Sequence, residues 1–163
     1  MIHHLSIGAR EPERVAGVFA ELFEGMCIPF PPIPGGYLAV AADGHGTGVE
    51  VYPDDTAIRP GGPAGAACGR TGQPAGFGAV HFALSVDCGL DRIEAIARRE
   101  GWDCHVCSRG GDFDVVELWI ENRFMVELLP PDFAATYLRF AGRFTAARDA
   151  AVLMASHEAR VPT

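Results

Sequence analysis

The sequence contains no lysine. All 13 basic residues are arginines, set against 21 acidic residues for a formal net charge of -8. Schiff-base chemistry on a lysine and lysine general-base catalysis are thereby excluded. The acidic balance repels phosphate backbones and anionic lipid heads, so neither nucleic acid nor a membrane is an expected partner. No apolar run approaches the roughly 20 residues of a membrane span. The start, Met1-Ile2-His3-His4, has neither the basic n-region nor the apolar h-region of a signal peptide. Cysteines number five, an odd count, so the expectation is reduced thiols in a cytoplasmic protein rather than a disulfide framework. The rest, 48% hydrophobic and 21% charged over 163 residues, excludes a disordered chain and fits one domain with a core.

The chain is written twice. Val49-Glu50-Val51-Tyr52-Pro53-Asp54-Asp55 reappears as Val126-Glu127-Leu128-Leu129-Pro130-Pro131-Asp132, and the same offset carries His4 onto His81. Gly25 and Gly101, read as helix stops, keep that register to within one residue. In each copy a short strand (Ile2 to Ala9, Val80 to Val86) precedes a helix. Val15, Val18, Phe19 and Leu22 mark the first helix face; Leu90, Ile93, Ile96 and Ala97 mark the second. Three strands follow each helix, near Met26–Phe30, Tyr37–Ala41 and Gly48–Tyr52, then near Asp103–Cys107, Phe113–Ile120 and Phe124–Leu129. The expected fold class is α+β: two βαβββ modules forming a U-shaped mixed sheet with helices outside, plus a C-terminal helical extension. Residues 1–53 form the first module, 54–78 a Gly/Pro-rich linker or functional loop, 79–130 the second module and 131–163 the extension. Within the extension, Phe133, Tyr137, Phe140, Phe144 and Ala151 fall near helical spacing, an aromatic load that calls for cover by the same chain's sheet edge or, the preferred reading, by a twin subunit in a homodimer.

Strand alternation assigns the faces. Leu5 and Ile7 are expected to pack on the first helix, which puts His4, Ser6 and Gly8 on the opposite face. Phe82, Leu84 and Val86 pack in the second copy, leaving His81, Ala83 and Ser85 opposite. Glu50 and Glu127 each sit between apolar neighbours and point away from them. Each copy thus offers one His and one Glu from different strands, on the face away from its helix. Two imidazoles and two carboxylates suit a borderline divalent ion such as Zn, Ni, Co, Mn or Fe(II).

This arrangement resembles the vicinal oxygen chelate superfamily, which includes glyoxalase I, methylmalonyl-CoA epimerase, extradiol dioxygenases, and the fosfomycin and bleomycin resistance proteins. The resemblance rests on Ile2-His3-His4-Leu5-Ser6-Ile7 with Glu11-Pro12-Glu13-Arg14, on Val49-Glu50-Val51, on His81-Phe82-Ala83-Leu84-Ser85-Val86-Asp87 and on Val126-Glu127-Leu128. It covers about residues 2–130 and implies that His4, Glu50, His81 and Glu127 hold the metal. His3 is set aside because alternation places it with Leu5 and Ile7. Two departures stand out. The last hairpin reads Ile120-Glu121-Asn122-Arg123-Phe124 where many relatives carry an Asp-Pro-Asp-Gly-like turn. Gly8 stands where glyoxalase I has an arginine for glutathione, leaving Arg123 or Arg109 to supply any anion contact.

The resemblance implies a glyoxalase-like, divalent-metal-dependent enzyme acting on a small oxygen-chelating substrate by proton-transfer isomerase or lyase chemistry, with Glu127 or Glu50 as base. The alternatives are a resistance-type protein that binds a small molecule without turnover, and an Fe(II) ring-cleaving dioxygenase. Cys104-His105-Val106-Cys107 reads as strand with its cysteines on opposite faces, not as a metal or redox pair. His45 is expected in a hairpin turn and His157 near the terminus. Gly61-Gly62-Pro63-Ala64-Gly65 lacks the ending of a phosphate loop. Phe30-Pro31-Pro32-Ile33-Pro34 shapes a loop at the mouth of the site, or a stiff connection.

Overall fold

A computed structural model describes residues 2–59, 67–74 and 76–143. Each copy folds as read. In the first, β1 (His4–Ala9) is followed by α1 (Pro12–Leu22) and by β2 (Met26–Pro29), β3 (Tyr37–Val40) and β4 (Gly48–Pro53). After a hairpin of β5 (Thr56–Arg59) and β6 (Ala67–Arg70), the second copy gives β7 (Phe82–Ser85), α2 (Leu90–Glu100), β8 (Cys104–Arg109), β9 (Phe113–Ile120) and β10 (Phe124–Leu129). Residues 131–143 are helical. The strand orders β1-β4-β3-β2 and β7-β10-β9-β8 are the same topology written twice. In both, the first strand pairs in parallel with the last, and the rest of the sheet is antiparallel.

Alternation places the core between sheets and helices. Ile7 and Ala9 are buried while His4, Ser6 and Gly8 are exposed. Val15, Phe19 and Leu22 of α1 join Val49 and Val51 of β4, and continue into Ile93, Ile96, Leu118 and Leu128 of the second copy as one cluster. Each such side chain, fully buried, contributes roughly 1.5–3 kcal/mol. The ring of Phe19 stacks on Phe82, 6.2 to 6.4 Å being the spacing to its two aromatic neighbours Phe23 and Phe82. The helices are also tied by charge: Glu21 takes Arg92 and Arg99, and Glu100 takes Arg14.

The helix stops refine the repeat. Glu24, not Gly25, carries the left-handed turn after α1 (φ 51°), as Gly101 does after α2 (φ 72°). The closing bonds, Gly25 N–H to Ala20 O and Trp102 N–H to Ala97 O, then fall in the same register as His4/His81 and Glu50/Glu127. Gly25 is needed for a different reason: a Cβ there would sit 1.9 Å from the Val40 carbonyl oxygen.

Two expectations change. The segment after β4 was expected to lack regular structure, yet it holds the β5–β6 hairpin, with Thr56 opposite Arg70 and Arg59 opposite Ala67. The extension's described helix packs on its own chain, the rings of Tyr137 and Phe140 meeting Phe113 at 5.2 and 5.0 Å. Phe144, Ala151, His157 and the Gly61–Gly65 run lie outside the described residues. Among the described residues no helix is long and apolar enough to cross a membrane.

Candidate metal centre

The first half-site is organised around Glu50. Its register partner on β1 is Ser6, and both side chains stand on the face away from α1. The Glu50 Oε2 atom accepts hydrogen bonds from the Ser6 hydroxyl and the Tyr52 hydroxyl, each at 2.5 Å. Its Oε1 atom faces His4, with Nε2 at 3.9 Å. Burial pushes the Tyr52 hydroxyl up to about 12, and its bond to Glu50 adds to the shift. Phe30 stacks on the Tyr52 ring at 5.9 Å, and the Pro-rich loop closes with Gly36 N–H donating to Ile33 O. That loop therefore fixes Tyr52, and through it Glu50.

The second half-site is held differently. Glu127 lies directly across from Glu117 in the β9–β10 register. Arg109, at the end of β8, donates through Nε to Glu127 Oε1 at 3.1 Å. Its Nη2 bonds the same oxygen and also reaches Glu117 Oε1 at 2.7 Å. Arg109, foremost, holds the Glu117 carboxyl below the usual range, with smaller contributions from Trp119 and Cys107. His81 lies one residue before β7 and is exposed. Its Nδ1 bonds the Ala79 carbonyl at 3.0 Å, which leaves Nε2 as the free ring nitrogen.

Of the four sequence-assigned donors, His4 and Glu50 meet in the first copy, whereas His81 and Glu127, at the equivalent sequence positions, hold other partners, Ala79 and Arg109. Among the described residues, no three His, Cys, Asp or Glu side chains come together at metal-binding spacing. A cavity of about 560 Å³ lies between the copies, lined by Ser6, Ile7 and Gly8 on one side and by Val80, His81, Trp119, Phe124 and Met125 on the other. Arg123 at its wall pairs with Asp54 at 2.7 Å. A second cavity of about 500 Å³, near Leu22–Glu24 and Ala83–Asp87, carries none of the four donors.

The residues set aside behave accordingly. His3 Nδ1 bonds the His45 carbonyl at 2.7 Å. That carbonyl belongs to a turn organised by Asp43, whose carboxyl is held down at about 2 by the Thr47 hydroxyl and then the His45 N–H. Cys104 and Cys107 pair with Leu118 and Val115, an odd separation that sends them to opposite faces. All five cysteines are free thiols. Sequence reasoning passed over Glu117 and Tyr52. Alternation carried the signal for Tyr52, two residues from Glu50 on one strand, whereas Glu117 emerges only from the β9–β10 register that sets it across from Glu127.

Comparison with solved structures bears on this architecture. The lactoylglutathione lyase of Agrobacterium tumefaciens superposes with a TM-score of 0.50 at 12% identity, over 78% of this chain and 91% of that one. The chain has the vicinal oxygen chelate fold. Similar too are the fosfomycin resistance protein FosX of Mesorhizobium loti (TM-score 0.49, 14% identity, 78% and 88% covered) and the FosX of Listeria monocytogenes complexed with Mn(II) and sulfate (TM-score 0.49, 11% identity, 78% and 86% covered). No family model matches the sequence, and no curated protein does.

Proposed function

We propose that this protein is a glyoxalase-like, divalent-metal-dependent enzyme acting on a small oxygen-chelating substrate, with His4, Glu50, His81 and Glu127 as ligands. The reading is supported by the sequence repeat, which sets His81 and Glu127 77 residues after His4 and Glu50, and by the contact of His4 with Glu50 in the first copy. The donors also suit an ion individually. Glu50 keeps Oε1 toward His4 while two hydroxyls occupy Oε2, and His81 keeps Nε2 free by spending Nδ1 on a backbone carbonyl. A bound ion would supply Lewis acidity at substrate oxygens.

The chain's own residues supply the rest. Ser6 and Tyr52 orient Glu50 and touch its carboxylate, so a proton taken by Glu50 has hydroxyls beside it; this favours Glu50 over Glu127 as the proton-transfer carboxylate. The cavity between the copies is of ligand size and mostly apolar, with His81 and Ser6 on its wall. Uniting the two pairs in a homodimer is part of the proposal. Met26 and Ile28, exposed on the Glu50 face of edge strand β2, support a second copy there.

Metal content of tag-free protein tests the reading, with light scattering for the dimer at twice the 17.4 kDa chain mass. One ion per His4–Glu50–His81–Glu127 set, lost in His81→Ala and Glu127→Ala but kept in His3→Ala, is expected. Metal retained in full by the first two variants refutes the ligand set. One observation favours a binding protein without turnover: Glu127 already has a cationic partner in Arg109. Wild-type protein that takes up no metal yet binds small apolar compounds would decide for it.

A further inference from the structure

Among the described residues, Arg123 is the least exposed of the ion-paired arginines. Arg14, Arg99 and Arg109 are 31% to 52% exposed, and each takes two carboxylates. Arg123 is 14% exposed and takes one, donating from Nη1 to Asp54 Oδ2. Its Nε atom is buried with no hydrogen-bond partner among the described residues. A guanidinium carries five N–H donors in a planar fork, and its Nε–Nη2 edge takes a carboxylate side-on. A buried donor without an acceptor costs free energy that a partner returns. Arg123 lines the cavity of about 560 Å³ between the copies. Trp119 and Met125, register partners on β9 and β10, line it too. Phe77, between the lining residues Gly76 and Gly78, meets Trp119 edge to face at 6.5 Å. Phe77 and Val80 are 78% and 76% exposed, a large apolar surface to leave at the mouth of a cavity.

We propose that this cavity binds a small apolar monocarboxylate, with the carboxylate on Arg123 and the apolar body against Trp119 and Met125. The proposal deepens the small-molecule part of the reading above and rests on its cavity, not on its ligand set. Asp54 holds the Nη1 end of the fork, and the ligand takes the Nε–Nη2 edge after a small turn of the guanidinium toward the cavity it lines. Two carboxylates on one guanidinium is the pattern Arg14, Arg99 and Arg109 already follow in this chain. Because Asp54 already offsets Arg123, a second anion brings its charge uncompensated into a mostly apolar cavity. The single charge of a carboxylate costs less there than the near-double charge of a phosphate. The volume suits a body of about one aromatic ring with a short chain.

Binding of 3-phenylpropanoate to the full-length, tag-free protein tests this, by calorimetry and by quenching of Trp119, since Trp102 is buried. Wild type, Arg123→Met and Asp54→Asn are compared, each with and without a chelator. Wild type is expected to bind the acid about tenfold tighter than neutral 3-phenylpropanamide, the worth of one charge-assisted hydrogen bond. Arg123→Met should lose that preference. Asp54→Asn removes the competing carboxylate and should bind the acid several times tighter, a gain that a purely structural ion pair does not produce; it serves if Arg123→Met does not fold. Equal affinity for acid and amide in wild type, no gain in Asp54→Asn, or a preference for 3-phenylpropyl phosphate overturns the proposal. Acid binding that the chelator abolishes also overturns it and leaves the metal reading standing. Acid binding by protein that takes up no metal upholds it and overturns the ligand set.

Discussion

Helix α1 has no side-chain cap of its own; the second copy supplies it. Glu121, in the β9–β10 turn, accepts from the Arg10 N–H through Oε2 and from the Glu11 N–H through Oε1, both at 2.8 Å. One ionised carboxylate thus satisfies two backbone donors at the entrance to a helix more than a hundred residues away in sequence. A cap is worth about 1 kcal/mol, and a negative charge at a helix N-terminus adds roughly 0.3–1 kcal/mol. Glu121→Ala is therefore expected to cost about 2 kcal/mol, or roughly 4–8 °C in melting temperature for a chain of this size. Glu121→Gln keeps one acceptor oxygen and loses the charge, and should cost about half as much. Glu121 also sits at φ 51°, so Glu121→Gly loses the cap yet relieves the backbone, and should be milder than Glu121→Ala by about 1 kcal/mol. Because β1 ends at Ala9, the cap also fixes the strand bearing His4 and Ser6 against the hairpin that leads to Glu127. Mn(II) affinity should fall with stability. The assay is urea unfolding of the three variants beside wild type. A Glu121→Ala midpoint indistinguishable from wild type would show that the two bonds carry no net energy and refute the argument.

Two further outcomes are expected. Glu21 is held below its ordinary value of 4.5, chiefly by its hydrogen bond from Arg99, so its contribution is present above that value and lost as pH falls through the lowered one. Glu21→Gln should cost about 1 kcal/mol at pH 7, given that both arginines are half exposed, and converge with wild type in acid unfolding curves; equal stability at pH 7 would exclude the pair as a tie between the helices. Tyr52→Phe removes one of two donors to Glu50 and should cost about 1 kcal/mol while weakening Mn(II) binding, measured by calorimetry; unchanged affinity would show that Glu50 is oriented by Ser6 alone.

Periodicity made most of the fold legible. The strands Phe113–Ile120 and Phe124–Leu129 fall on their expected bounds, because both are short runs rich in β-branched, aromatic and aliphatic residues separated by the turn Glu121-Asn122-Arg123. The hairpin Thr56–Arg59/Ala67–Arg70 was not legible. Thr56 and Ile58 are its only β-branched residues, and it lies amid glycine, proline and alanine. The described part of the extension, residues 131–143, was legible as a helix but not in its partner. Phe113 faces Tyr137 and Phe140 only because β9 begins where residues 131–143 fold back, and pattern alone does not show that.

The limits at the site have a sharper cause. A repeat reveals what both copies share, and here they share the donors alone. The positions equivalent to Ser6 and Tyr52 hold Ala83 and Leu129, which cannot donate to Glu127; those equivalent to Arg109 and Glu117 hold Pro32 and, across from Glu50, Leu38, which cannot bridge Glu50. Searching for internal likeness therefore finds His4, Glu50, His81 and Glu127 and hides everything that distinguishes them. Alternation within each sheet recovers the rest. Glu50 and Tyr52 lie two apart on β4, and Arg109 meets Glu117 and Glu127 across three strands on one face. A carboxylate held by neutral hydroxyls and one held by a guanidinium are not chemically equivalent, even at equivalent points of the fold. The duplication places two like groups at equivalent positions, and their unshared neighbours surround one with hydroxyls and the other with a guanidinium.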